Sequence, residues 1–401
     1  MIFRLKGIIL IPVFLILAWF GWNTYNYFLD MSHPVVALTG IEPDGHYMGE
    51  LTCIVNGSDS YKVYDISVFL DNKMLVGHHK INRSSFQYSF PVVTKGLPNG
   101  KHILKIVVQD GSYRKNSTTL ELPFCIDNMP LQAAFVKNDI DLKVFQGRTL
   151  HVQFQANKEL KSAVARTLAN TYTCVPEAAN SLIYECFIPI KTDETPNEYL
   201  LHIDLVDKVG NALTLDNKFH VIMYPFKKQQ PKLNQEKIKL ENELGLPEKQ
   251  LEQDLLDATS RSPQHKLWQG NFYVPCEVKG ISTEFGTVRT TQERGKYAHD
   301  AIDLLSPPRS AVWSTQDGIV VIKNRYAHSG NTAVIDHGCG ILSLFFHLDT
   351  FANINVGDKI KKGQLVGTVG TTGYSNGFHL HWAMHINNIA IDPMQWTRHD
   401  F

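Results

Sequence analysis

The sequence predicts a mostly β chain of several domains behind one N-terminal transmembrane helix. Three observations carry this. Apolar residues alternate with polar ones in short runs from His33 to Tyr224, and strand signals return after Leu267, with breaks at Gly, Asn and Pro. One continuous apolar run lies at the N-terminus, and a charged segment with helically spaced leucines separates the two β-rich stretches. At 401 residues the chain exceeds one ordinary core, so roughly two to four domains are expected.

Taken in order, residues 1–32 form the anchor. Arg4 and Lys6 precede an apolar run from Gly7 to Trp22, and Tyr25, Tyr27 and Phe28 follow it. Trp19, Phe20 and Trp22 stand where a cleaved signal would carry small residues. The expectation is an uncleaved transmembrane helix, its aromatic flank at the interface and its basic residues on the cytoplasmic side. This makes the membrane a partner through the N-terminal helix. It places the bulk of the chain outside the cytoplasm, in the periplasm or cell envelope; a buried soluble helix is the alternative.

Residues 33–128 and 129–226 read as two β-sandwich modules. The first holds KVYDISVFL, MLVGHHKI and LPNGKHILKIVVQDG, with a turn signal at Pro98-Asn99-Gly100; the second holds TLHVQFQA, YLLHIDLVDKVGN and LDNKFHVIMY. The "strand, Asp, turn Gly" endings at His102–Gly111 and Tyr199–Asn211 resemble those of bacterial immunoglobulin-like modules. Such modules serve as spacers or as ligand-binding units. Residues 227–266 form a helical linker, in which Leu240, Leu244, Leu251 and Leu255 lie on either side of Pro247.

Lys+Arg and Asp+Glu both number 39, so no global charge recruits nucleic acid, and none is expected as a partner. Six cysteines fall two to a segment: Cys53 and Cys125, Cys174 and Cys186, Cys276 and Cys339. In an oxidising compartment sequential disulfides within segments are expected; in a reducing one, six buried thiols.

Residues 267–401 form the last, β-rich domain, which concentrates the chemistry. His379 and His381, two apart, share one face of a strand, and His299 and Asp303 require a loop or strand bend to meet. A catalytic zinc needs about three nitrogen or oxygen ligands and an open position, and these residues with His347 supply that set with two histidines to spare. The other histidines of the domain, among them His337 and His385, read as core or surface residues.

The domain resembles the lysostaphin/LytM-type zinc metallopeptidases of family M23. The resemblance is carried by STEFG (Ser282–Gly286), HDAIDL (His299–Leu304), GNTAVIDHG (Gly330–Gly338) and FFHL (Phe345–Leu348). VGDKIKKGQLVGTVGTTGYSNG (Val356–Gly377), HLHW (His379–Trp382) and Asp392-Pro393 complete it in the same order. It implies that His299, Asp303 and His381 hold one Zn2+ and that His347 and His379 are catalytic. His379 would act as general base and His347 would stabilise the oxyanion, or the two would exchange roles. Ala301, Phe345 and Phe378 stand where the family commonly has Gly, Tyr and Pro. The implied function is a membrane-anchored zinc endopeptidase that hydrolyses peptidoglycan peptide cross-links through a zinc-activated water. A regulatory protein partner would fit a linker that occludes the site. The rival is a non-catalytic LytM-type activator or wall-binding protein.

Overall fold

The alternating runs fold as strands, and the chain is mostly β. A computed structural model describes residues 3–136, 142–230, 235–291 and 295–398. They divide into two units, Met1–Pro130 with the turn Lys208–Asn211, and Leu131–Asp207 with Ala212–Phe401.

The first unit begins with helix α1 (Phe3–Leu29), and here the expected transmembrane anchor is corrected. Among the described residues no helix is long and apolar enough to cross a membrane. The reason is dilution of the apolar run. Within the same helix, Val13–Trp22 gives way to Asn23, Thr24 and Asn26. The Asn23 amide and Thr24 hydroxyl bond back to the carbonyls of Trp19 and Phe20, at 3.1 and 2.8 Å. The side chains of Arg4 and Lys6, on which the expected orientation rested, lie outside the described residues. The membrane-anchored localisation falls with the anchor.

After α1 come six strands in one hydrogen-bonded sheet, which differs from the pair of sheets expected of a sandwich. Its longest members are a pair of 21-residue strands, Glu50–Leu70 and Lys73–Val93. Their register shifts between Ser58 and Val63 and again nearer the hairpin end. Such irregularities bend a long strand, and both halves of the first one contribute to a single core: Cys53 and Val55 with Val63, Ile66 and Val68, against Leu104, Ile106 and Phe124.

In the second unit, a five-stranded and a four-stranded sheet enclose one core that includes Val152, Phe154, Ala165, Ile188, Ile203 and Phe219. Its sheets do not stop at a boundary with the chemistry-bearing domain. Phe187 joins Trp268, Phe272 and Trp396 in the next core, Gln395 exchanges two hydrogen bonds with the Thr149 backbone, and Arg148 pairs with Asp392 at 2.9 Å.

The expected disulfides are also corrected, for all six cysteines are free thiols. Burial favours the neutral form, raising Cys53 and Cys276 to about 11 and Cys339 to about 12. Cys174 and Cys186 are neighbours in the core, hydrogen-bonded thiol to thiol.

Of the remaining strands, Lys228–Gln229, Val288–Thr291 and Gly295–Ala298 form a small three-stranded sheet, and the other ten build one large sheet. Along its path lie Gly280–Thr283, Ile302–Leu305, Leu380–Ile386, Ile341–Phe351, Gly330–Asp336 and Gly318–Tyr326. Two helices, α2 (Gln235–Leu244) and α3 (Glu248–Ser260), meet at Pro247 as the leucine spacing suggested. Residues 231–234 of the expected linker lie outside the described residues. α3 is no free spacer: Leu251 and Leu255 are buried with Tyr326, Val334, Leu342, Leu344 and Ala383. Each such leucine contributes about 1.5–3 kcal/mol by leaving water, so α3 is held as part of the domain.

Candidate active site

Antiparallel register brings the first two site residues together. Asp303 on Ile302–Leu305 stands directly opposite His381 on Leu380–Ile386, and both side chains point to the same face. The Asp303 Oδ1 atom lies 2.9 Å from His381 Nδ1. His299 reaches it from the loop after Gly295–Ala298, with Nε2 3.0 Å from the same oxygen. That nitrogen is off the line of a hydrogen bond, and among the described residues it is a buried polar atom with no hydrogen-bond partner. Three ligand atoms thus converge on one point, and His299, Asp303 and His381 form a group whose ligand atoms all lie within 4.8 Å of one another.

His379 and His347 border this point. His379 precedes the strand that carries His381 and shares its face, with Nε2 3.7 Å from Asp303 Oδ1. Its Nδ1 lies 2.9 Å from the Gly377 carbonyl; since a carbonyl only accepts, Nδ1 carries the proton and Nε2 presents its lone pair. His347 follows the same rule, with Nδ1 donating to the Thr372 carbonyl at 2.8 Å. The two imidazole rings are 4.9 Å apart.

Local backbone explains how His347 gets there. Ala333 pairs with Phe345 and Asn331 with Leu348, so Phe346 and His347 face only Thr332. The extra residue is His347, whose φ of +59° is the left-handed region. Its Nδ1 partner, Thr372, approaches because residue 330 is glycine: a Cβ there would lie 2.4 Å from the Thr372 carbonyl carbon. On the far side Phe346 stacks on His381, with centroids 4.9 Å apart and planes 5° from parallel.

Burial dominates the electrostatics. It lowers His299 to about 4 and His347 well below the usual histidine value, with the charges of His379 and His381 adding to the second effect. It also lowers His379, against the opposing pull of Asp303. Burial alone would raise Asp303, but the close approach of His299, the hydrogen bond from His381 and the charges of both outweigh it and hold the carboxyl well below its ordinary range. The site therefore holds one carboxylate among imidazoles, of which His299, His347 and His379 are biased toward the neutral form. Such a set matches a divalent zinc in ligand type and number. In the groove around it, of about 630 Å³, one wall comes from α3 through Glu248, Leu251, Glu252 and Leu255.

Several lining residues were not singled out in the sequence. Arg289 donates to Asp303 Oδ2 at 2.8 Å. His385 lines the same groove on the face of His379 and His381, a position that its spacing of four from His381 could have indicated. Nothing in the polar run around Arg289 marks it, because its partner is 14 residues away. Ala301 is wholly buried in the cluster with Leu251 and Leu255, Phe345 is a core residue, and Phe378 lines the groove.

Residues 297–393 match Peptidase family M23. The DD-carboxypeptidase/endopeptidase Mpg of Neisseria meningitidis is 33% identical over 127 residues, which are 31% of this chain and 29% of that protein. The peptidoglycan DD-endopeptidase ShyB of Vibrio cholerae is 32% identical over 116 residues, 29% of this chain and 27% of that protein. The chain thus matches less than a third of the length of these relatives. A crystal structure described as a putative peptidase M23 from Pseudomonas aeruginosa is 20% identical, with a TM-score of 0.47, over 63% of this chain and 94% of that one. The family match spans His299, Asp303, His347, His379 and His381, and the chain carries a peptidase family M23 domain at its C-terminal end.

Proposed function

We propose that this chain is a zinc-dependent endopeptidase that hydrolyses peptide cross-links of peptidoglycan. The observation that carries the reading is the convergence of His299, Asp303 and His381 on one point, with a buried His299 nitrogen that has no hydrogen-bond partner among the described residues. Relatives named as peptidoglycan DD-endopeptidases support the substrate class.

His299 Nε2, Asp303 Oδ1 and His381 Nδ1 would hold the ion, leaving one position open to the groove. When bound, zinc supplies Lewis acidity toward a peptide carbonyl and lowers the pKa of a water toward about 7. The protein supplies proton transfer. His379, its Nδ1 fixed on Gly377, takes the proton of the attacking water at Nε2 and returns it to the leaving amine. His347, held by Thr372 at Nδ1, offers its Nε2 lone pair beside the same point; it would take up the second proton of the water as the tetrahedral intermediate forms, hold it against the oxyanion and release it to the departing amine. The apolar wall of Leu251, Leu255 and Phe346 limits water around the reacting atoms.

The test is digestion of purified peptidoglycan by the full chain, with product masses read out. Cross-linked dimers should become monomers, one zinc should be bound per chain, and Asp303→Ala should lose both. Zinc-free protein, or an Asp303→Ala variant that cuts as fast as the parent, would refute the reading.

A further inference from the structure

We propose that Arg289 is a positioning residue that holds Asp303 as a one-oxygen metal ligand; this rests on the zinc reading above. Asp303 has two oxygens with separate tasks. Oδ1 faces His299, His379 and His381, while Oδ2 faces away from them and accepts from Arg289 Nη2 at 2.8 Å. The ion pair is well shielded, with side chains 18% and 6% exposed.

The guanidinium is itself held from two neighbouring strands. Its Nη2 also reaches Thr283 Oγ1 at 2.9 Å, and Nε reaches Gln229 Oε1 at 3.2 Å. Thr283 is the register partner of Asp303, and Gln229 that of Arg289. The fork is therefore fixed before it meets the carboxylate, which only a planar guanidinium can do with three acceptors. With Oδ2 so engaged, the carboxylate cannot swing that oxygen toward the ion or turn Oδ1 from the two imidazoles. Partners standing behind metal ligands act in this way, and their loss typically costs about 10- to 100-fold in metal affinity.

The experiment uses the full chain stripped of metal and titrated with zinc against a chromophoric chelator. Arg289→Met should raise the apparent zinc dissociation constant about 10- to 100-fold. Arg289→Lys should recover part of the loss, since an ammonium reaches Oδ2 but cannot span Thr283 and Gln229 as well. Zinc affinity within twofold of the parent, in an Arg289→Met protein whose circular dichroism is unchanged, overturns the inference. Should Arg289→Met fail to fold, Arg289→Gln, which is polar but uncharged, takes its place with the same two outcomes. A parent that binds no zinc overturns the metal reading itself, and is recognised because it precedes any comparison of variants.

Discussion

His347 sits in left-handed backbone inside a strand, a conformation that costs a non-glycine residue on the order of 1–3 kcal/mol. The surrounding hydrogen bonds, from its amide to Ser329 and its ring to Thr372, over-determine that geometry. What the strain secures is a second imidazole beside His379. For His379 the acid–base consequence has a definite sign. A general base must be neutral, and burial lowers His379 below the ordinary histidine value of about 6.5. A bound cation would push it the same way. The acid limb of kcat/KM against pH should therefore begin below pH 6.5, with a plateau through neutrality. His379→Ala should lower kcat by about 10²- to 10⁴-fold while retaining zinc. A parent limb centred at or above 6.5, or a zinc-loaded His379→Ala variant with parental kcat, would contradict this assignment.

Among the elements, the strand Leu380–Ile386 and the helix α2 show what a sequence reveals and what it hides. Two-residue spacing put His379 and His381 on one face because side-chain alternation is a local property of strands. The opposition of Asp303 and His381 was not local, and neither was the Arg289 contact; both arise from pairing between distant segments. Helical leucine spacing likewise marked α2 and α3, but could not say that α3 buries Leu251 and Leu255 while Leu240 and Leu244 stay exposed. The apolar N-terminal run marks a helix but not its extent, since the helix continues through Asn23, Thr24 and Asn26. The charged segment's real task shows at Lys237. From α2 its ammonium bonds the carbonyls of Thr371 and Ser375, at 2.7 and 2.6 Å. The intervening Thr372 orients His347, and Ser375 Oγ lies 3.3 Å from His379 Nδ1. Lys237→Met should loosen that loop and lower kcat by as much as about 100-fold, the effect of misplacing a catalytic group by an ångström. Zinc stoichiometry should stay at the parental value. Steady-state kinetics with metal analysis checks both, and an unchanged kcat would show that the loop holds without α2.

Across the whole molecule, buried histidines divide unequally between the two units. The second unit holds His299, His337 and His385, each lowered to about 4 by burial. His337 is wholly enclosed, with Nδ1 2.7 Å from the Asp317 carbonyl and Nε2 2.9 Å from Ser343 Oγ. Such a group is neutral when folded and protonates more readily when unfolded. Its stabilising contribution is therefore complete above about pH 6.5 and is lost as pH falls toward 4. For His337 alone the shift corresponds to roughly 3 kcal/mol. In the first unit His102 behaves differently. Burial would lower it, but hydrogen bonds to Asp71 and Pro98 and the Asp71 charge outweigh burial and raise it. That contribution is present below pH 6.5 and fades only as pH rises through the raised value. Acidification of the metal-free chain from pH 7 to 4.5 should thus weaken the second unit while sparing the first. Pulse proteolysis across a urea series, with fragments assigned by mass, distinguishes the two. Fragments from 142–230 and 295–398 should appear at lower urea at pH 4.5, with the midpoint of residues 33–126 nearly fixed. His337→Gln should reduce the pH dependence of the second unit, because a neutral amide has no proton to gain. Parallel shifts in both units, or a slope that His337→Gln leaves intact, would mean that other groups govern the acid response.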